Sequence, residues 1–345
     1  MKIKIVSPSG AIDPQYIDRA TEVLRGWGYE VSEAAHARGK VGRFAASDEE
    51  RVADIAEALT DPAVDMILCA RGGYGLQRII DRIPPIHKPI IGFSDITALH
   101  MLAAKTGQAT IHAMMCKGIS ETKGLTPSSC VLHPSSFLQR ALAQEPLHYE
   151  LPAHPLNRAG KTKGTLIGGN LSVLYGLQGT AYGLNERLRI KDKRLNSNDF
   201  KEVRSLGRTQ YKDASDTEVI SPSSLSPSLC REGWGGSPLI LFIEDVGERH
   251  YHIDRMMNNL RLSGVLANLS GLIVGQFNDC EDDPSMGCTV YETIRRAVEP
   301  YHYPVVFNFP AGHVEENMPL YLNAPVEMDV QEDYSSSIHS FFKSS

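Results

Sequence analysis

The sequence predicts an α/β protein: an N-terminal open, mostly parallel sheet with flanking helices, then a β-rich C-terminal domain. Three observations carry this. Short apolar runs alternate with amphipathic segments from residue 3 to residue 115, as in βαβ units. "MILCA" (66–70) and "PIIGF" (89–93) are continuously apolar, which suits strands buried on both faces. Beyond residue 162, "LILFIEDVGE" (239–248), "SGLIVGQFNDC" (270–280) and "YPVVFNFPAGH" (303–313) read as three further strands, each ending in polar or Gly-rich residues.

The first half follows in order. "IKIVSPSG" (3–10) is a strand closed by a Gly/Pro turn. Residues 13–29 are helical, with Ile17, Ala20, Val23 and Leu24 on one face, Asp13 as cap and Pro14 at the first helical position. "YEVSEA" (29–34) is a short strand. "SDEERVADIAEALTDP" (47–62) is a second amphipathic helix, capped by Ser47 or Asp48. "VDMILCA" (64–70) is a strand that runs into "RGGYG" (71–75). "LQRIIDRI" (76–83) is helical, "KPIIGF" (88–93) a strand, "DITALHMLAAKTG" (95–107) a helix, and "QATIHAMM" (108–115) closes the unit.

The expected organisation is an N-terminal α/β domain over 1–117, a linker region over 118–161, a C-terminal β-rich domain over 162–330 and a tail over 331–345. "GTLIGGNLSVLYGLQGT" (164–180) opens the second domain, and 251–264 and 289–301 are its helices. Residues 186–237 are charged, then Ser/Pro-rich, with few apolar positions, and read as a loop or disordered insertion.

Composition narrows the function classes. A chain of 345 residues with 42% hydrophobic and 22% charged residues has the make-up of a globular protein. A formal net charge of -6 gives no general basic face for a nucleic-acid partner. No apolar stretch approaches the ~20 residues of a membrane span. The six cysteines form no C-x-x-C pair and show no metal spacing, which fits a reducing compartment and a cytoplasmic location. No cofactor motif appears: the Gly-rich turn is neither G-x-G-x-x-G nor followed by G-K-[ST].

Four places carry chemistry. Ser94, in "GFSD" between a strand and a helix, has the form of a nucleophile elbow, with Ile96 where a second Gly would stand. Its alternative is an ordinary Ser or Asp helix cap. In "CARGGYG" (69–75), paired glycines let backbone approach a ligand, and Gly72 or Gly73 N–H could face the elbow as an oxyanion donor. A plain turn and a phosphate loop are the competing readings. Arg71, whose planar fork suits a carboxylate, with Gly72 and Tyr74, are candidate substrate-binding residues. Glu244 and Asp245 end a strand, where an acid can orient a histidine or simply be solvated. His313 lies in the strand-exit loop "FPAGHVEENMPL" (309–320). His250 and His252 raise the question of a metal, but histidines two apart on a helix do not share a face. Ser, Glu and His in that order form a candidate triad, because a neutral Ser needs an adjacent base and the base an orienting acid.

"RGGYG", "GFSDIT", "GGNL", "LFIEDVGE", "GQF" and "PAGH" occur in the order seen in the LD-carboxypeptidases, the muramoyltetrapeptide carboxypeptidases, and the chain resembles that family over about 3–117, 162–185 and 239–330. The insertion 186–237 departs from the pattern, in which the "LFIEDV" strand follows "GTAYG" after a short turn. The resemblance implies a metal-independent serine peptidase with Ser94 as nucleophile, Glu244 as acid and His313 as base. It implies the backbone N–H groups of Gly73 and Asp95 as oxyanion donors. The implied fold is a flavodoxin-like or amidotransferase-like N-terminal sheet joined to a β-rich domain, often as a homodimer. The implied substrate is a murein tetrapeptide, which loses its terminal D-alanine during cell-wall recycling. Microcin-immunity peptidases, which cleave a peptidyl-nucleotide antibiotic, share the pattern. A small-molecule binding module without catalysis is the reading from another class.

Overall fold

In the computed structural model, which describes residues 1–122, 134–185 and 238–342, the chain forms two sheets flanked by helices. The insertion 186–237 lies outside the described residues.

The first sheet takes β1 (Lys2–Val6), β2 (Glu30–Glu33), β3 (Met66–Cys69), β4 (Ile90–Gly92) and β5 (Thr110–His112), all parallel, in the order β2-β1-β3-β4-β5. This is the flavodoxin-like order, and its strand order reverses between β1 and β3, where ligand crevices form beyond the carboxyl ends. All four residues of β3 and all three of β4 are buried, as their apolar runs require. Helix α1 (Pro14–Gly26) starts at Asp13, whose side chain accepts from Gln15 N–H. It buries Ile17, Ala20, Val23 and Leu24, each large side chain contributing roughly 1.5–3 kcal/mol. Helix α2 (Asp48–Thr60) has a full Ser47/Glu50 capping box, which settles Ser47 as the cap. Helix α3 (Thr97–Ala103) follows β4, and α4 (Cys116–Glu121) follows β5.

The segment 118–161 holds more than a linker. It contains α5 (Pro134–Leu142) and β6 (Leu147–Leu151), an edge strand of the second sheet. That sheet also takes β7 (Gly160–Asn170), β8 (Leu239–Val246), β9 (Leu269–Asn278), β10 (Val305–Val306), β12 (Ala324–Val330) and β13 (Ser336–Ser340), in the order β10-β9-β8-β7-β12-β13-β6. Strands β7 to β10 run parallel and the remaining pairs antiparallel. The tail expected over 331–345 therefore supplies β13, whose Ser-rich alternation around Ile338 gives little apolar signal. Strand β11 (Leu320–Leu322) leaves the second half and pairs antiparallel with β5, so the first sheet ends on a strand from the far end of the chain. Helices α6 (Leu171–Leu177), α7 (His250–Leu262) and α8 (Val290–Ala297) complete the second half.

"LQRIIDRI" forms two 3-10 turns, Leu76–Arg78 and Ile80–Arg82, in place of a helix. Gly75, at φ +135°, precedes them, and Ile83, ahead of Pro84, is already extended, so the segment is closed at both ends. Among the described residues no helix is long and apolar enough to cross a membrane.

Candidate active site

Ser94 sits where β4 turns into α3. Phe93 is extended, and Ser94 itself adopts φ +66°, in the left-handed region. That conformation costs a serine roughly 1–2 kcal/mol and persists only where neighbours fix it. Asp95 supplies the fixing. Its buried carboxylate accepts from Ser9 Oγ at 2.5 Å and from Leu76 N–H at 2.9 Å, tying the elbow to the loops after β1 and β3. Burial pushes the Asp95 carboxyl upward, and these two donors, with Arg51 and Arg43, act against that rise. The side chain of Ser94 caps nothing: neither the 3-10 turn at Ser94–Ile96 nor α3 has a side-chain cap.

The Gly-rich turn lies directly against this elbow. A Cβ on Gly72 would stand 2.7 Å from Ser94 Cβ and 3.0 Å from its Oγ, so only glycine allows the contact. Gly72 C=O accepts from Gly10 N–H at 3.0 Å, and Gly73 has φ +109°. From below, the buried Arg51 of α2 donates to Pro8 C=O at 2.6 Å and to Gly75 C=O at 3.3 Å. One guanidinium thus fixes both loops at the switch point. Arg71 is exposed and gives one N–H to Ala11 C=O at 2.6 Å. Tyr74 is also exposed, its ring 6.2 Å from Phe44 and beneath the Arg43 guanidinium at 5.3 Å.

The second half of the chain supplies the candidate acid and base. Glu244, at the end of β8, is fully buried. His313 Nδ1 lies 2.9 Å from its Oε2. An ionised carboxylate only accepts, so Nδ1 carries the hydrogen and Nε2 is left as the basic nitrogen. The pair depends on Gly312: at φ +134°, a Cβ there would lie 3.0 Å from Glu244 Oε2. Asn317 Oδ1 accepts from Gly312 N–H at 3.0 Å and so shapes the His313 loop.

The two halves meet at Phe93. Its ring lies edge-on to the His313 ring at 4.9 Å, so the residue next to Ser94 touches the histidine of the second half. Among the described residues no hydrogen bond joins Ser94 to His313, so the Glu–His pair is made and the Ser–His link is open. Behind Phe93, the ring of His112 is 5.8 Å away and fully buried. Burial first, then His100 and His313, hold its pKa well below the ordinary histidine value, so it serves as a neutral wall.

Sequence reasoning assigned no role to Phe93, Arg51 or Asn317: Phe93 and Arg51 act through contacts distant in the chain, and the bond of Asn317 to Gly312 N–H depends on the fold of their shared loop. His250 and His252 do not converge. His250 Nε2 meets Thr293 Oγ1 at 2.7 Å, whereas His252 Nδ1 meets Glu248 Oε2 at 2.8 Å. Among the described residues no cluster of three or more His, Cys, Asp or Glu is placed to hold a metal.

Residues 3–113 match the LD-carboxypeptidase N-terminal domain, and residues 229–328 match the LD-carboxypeptidase C-terminal domain. The murein tetrapeptide carboxypeptidase of Pseudomonas aeruginosa is 24% identical over 92% of this chain and 89% of its own length. Among solved structures, the muramoyltetrapeptide carboxypeptidase from Oxalobacter formigenes superposes with a TM-score of 0.73 at 23% identity, covering 99% of both chains. The microcin C7 self-immunity protein MccF, in complex with glutamyl sulfamoyl guanosine, gives 0.71 at 18% identity over 99% of this chain and 96% of its own. These two show a shared fold. With both domains matched in chain order, Ser94 within the first and Glu244 and His313 within the second, the chain belongs to the LD-carboxypeptidase family.

Proposed function

We propose that this protein is a serine LD-carboxypeptidase that releases the terminal D-alanine of murein tetrapeptides in cell-wall recycling. The observation that supports the reading is the Glu244–His313 pair, 2.9 Å apart, with the His313 ring 4.9 Å from the ring of Phe93, the residue before the strained Ser94. In the proposed reaction, Ser94 Oγ attacks the carbonyl of the diamino acid residue while His313 Nε2 takes its proton. The substrate draws Ser94 and His313 into hydrogen-bond contact. The backbone N–H groups of Gly73 and Asp95 receive the developing oxyanion. His313 then gives its proton to the departing D-alanine nitrogen, and the acyl group stays on Ser94. Water, deprotonated by His313, attacks that ester and restores the serine.

An exopeptidase must also bind a free carboxylate. Arg71 is assigned that role, because it is exposed beside the Gly-rich turn and, among the described residues, gives one guanidinium N–H to Ala11. Gly72 and Tyr74 form the rest of the substrate-binding turn. A cytoplasmic location and a homodimer belong to the same proposal, and sedimentation of the purified chain tests the second.

The test is a substrate panel: a murein tetrapeptide, its C-terminal amide and a peptidyl sulfamoyl nucleotide. The reading expects D-alanine from the first, little turnover of the amide, and a much smaller amide penalty in Arg71→Ala. Preference for the nucleotide would place the chain with the immunity peptidases. Binding of the tetrapeptide with no turnover would make it a binding module.

A further inference from the structure

The proposed triad is split between two sheets, so its geometry depends on what fixes one sheet against the other. Beneath the site runs a chain of buried hydrogen bonds that the mechanism does not use. Thr97, the first residue of α3 and three after Ser94, accepts from Asn170 N–H through its Oγ1 at 2.9 Å. Asn170 ends β7 and caps α6, its Oδ1 accepting from Val173 N–H at 3.1 Å. Its Nδ2 donates to Asp245 Oδ1 at 2.9 Å. Asp245 directly follows Glu244. Its Oδ2 accepts from Ser172 N–H at 2.8 Å and Ser172 Oγ at 2.7 Å, and its Oδ1 also accepts from Val246 N–H at 2.9 Å.

Every group facing the Asp245 carboxylate in this set is a donor, Ser172 Oγ sharing its one hydrogen with Glu248 Oε1 at 3.0 Å, and Asp245, Asn170 and Thr97 are all buried. Such a network is rigid when fully satisfied and costly when one member is lost. It begins at the helix that follows the nucleophile and ends at the residue beside the acid. We propose that Asp245 and Asn170 are positioning residues: their side-chain pair fixes the end of β7, whose Asn170 backbone N–H makes the one bond of this set that crosses to the Ser94-bearing half, at Thr97 Oγ1, and so latches the two halves at the spacing catalysis needs. The inference rests on the serine-peptidase reading above. Asp245 acts through Asn170 and Thr97, and touches neither substrate nor the reacting atoms.

The test is a swap on the full chain, read by steady-state release of D-alanine from murein tetrapeptide. Asn170→Asp keeps the α6 cap but sets a carboxylate against Asp245. Asp245→Asn sets an amide against the Asn170 amide. Each single variant is expected to lower kcat about 100-fold, as a misplacement of order 1 Å does, while KM stays within about three-fold. The double variant Asn170→Asp with Asp245→Asn rebuilds that donor–acceptor pair in reverse, with the new amide set against Val246 N–H, and is expected to raise kcat at least about five-fold over either single. Singles that leave kcat unchanged overturn the latch, as does a double variant no better than the singles. If a single variant does not fold, Ser172→Ala replaces it, with an expected kcat loss of about ten-fold at unchanged KM; a KM change alone overturns the proposal. D-alanine release that survives Ser94→Ala would instead overturn the serine reading on which the latch rests.

Discussion

The sheet that carries Ser94 and the sheet that carries Glu244 and His313 hold their reactive groups by different physical means. On the first, backbone does the work. A left-handed serine is pressed against a pair of glycines, and buried side chains reach in to fix main-chain groups: Asp95 to Leu76, Arg51 to Pro8 and Gly75. On the second, a side chain is held by a side chain. A fully buried carboxylate orients an imidazole that comes from a loop 69 residues later. Strain at one end and burial at the other are two ways to store precise placement, and neither is useful unless the two ends meet.

The sharpest way to break the comparison is to remove one end. Ser94→Ala or His313→Ala should each lower kcat by roughly 10⁶-fold, and Glu244→Gln by roughly 10⁴-fold. The Ser94→Ala, His313→Ala double variant should be no worse than either single, because the groups act as one unit. Additive losses in D-alanine release would mean that the two sheets work separately.

A second test uses stability against pH. Burial raises the Asp245 carboxyl from 3.8 to about 6, with Glu244 adding to the rise and the Ser172, Val246 and Asn170 donors opposing it. A carboxyl with a raised native pKa favours the folded state most below its unfolded pKa. That contribution is lost as pH climbs through the native pKa. Relative to Asp245→Asn, the unsubstituted protein should therefore lose up to roughly 3 kcal/mol between about pH 4 and about pH 6.5, and remain level above that. Glu244 beside it, Glu248 on the same loop with its partner His252, and Cys280 near by are present in both proteins, so urea denaturation of the pair isolates Asp245. Parallel curves would refute the assignment.

A smaller effect separates the two kinds of support. Gly72→Ala drives a methyl into Ser94 and should cost about 100-fold in kcat. Gly312→Ala strains φ and crowds Glu244, and should in addition destabilise the fold by about 1–3 kcal/mol, measured by urea denaturation. The smallest effect has the opposite sign. Ser94→Gly removes the left-handed penalty and should raise stability by about 1 kcal/mol while abolishing turnover. A destabilised Ser94→Gly would show that the φ of Ser94 is not a source of strain.

The same division decides what the sequence discloses. Apolar runs such as "MILCA" announce the parallel strands, and Asp13–Pro14 and Ser47 announce helix starts, because those signals lie within a few residues of their effect. The Ser94 elbow and the Gly-rich turn are likewise local and legible. Ser94 read alone favours a cap, whereas in the folded chain it stands at φ +66° and no side-chain cap forms at the turn it opens. The strands β6, β11 and β13 were missed because they are short or polar and exist only through pairing with distant segments. Phe93, Arg51, Asn317 and the Asp245–Asn170 link share that cause. Each is an ordinary residue whose role is fixed by a contact the folded chain creates, many positions away for all but Asn317, which bonds Gly312 within its own loop.

The central claim is that residues on the second sheet activate a serine on the first. Labelling of Ser94 by a serine-directed fluorophosphonate tests it most directly, compared across the unsubstituted protein, His313→Ala and Glu244→Gln, all confirmed as folded. The account predicts rapid labelling of the unsubstituted protein, near-complete loss in His313→Ala and a marked slowing in Glu244→Gln. Equal labelling rates in all three proteins would contradict it.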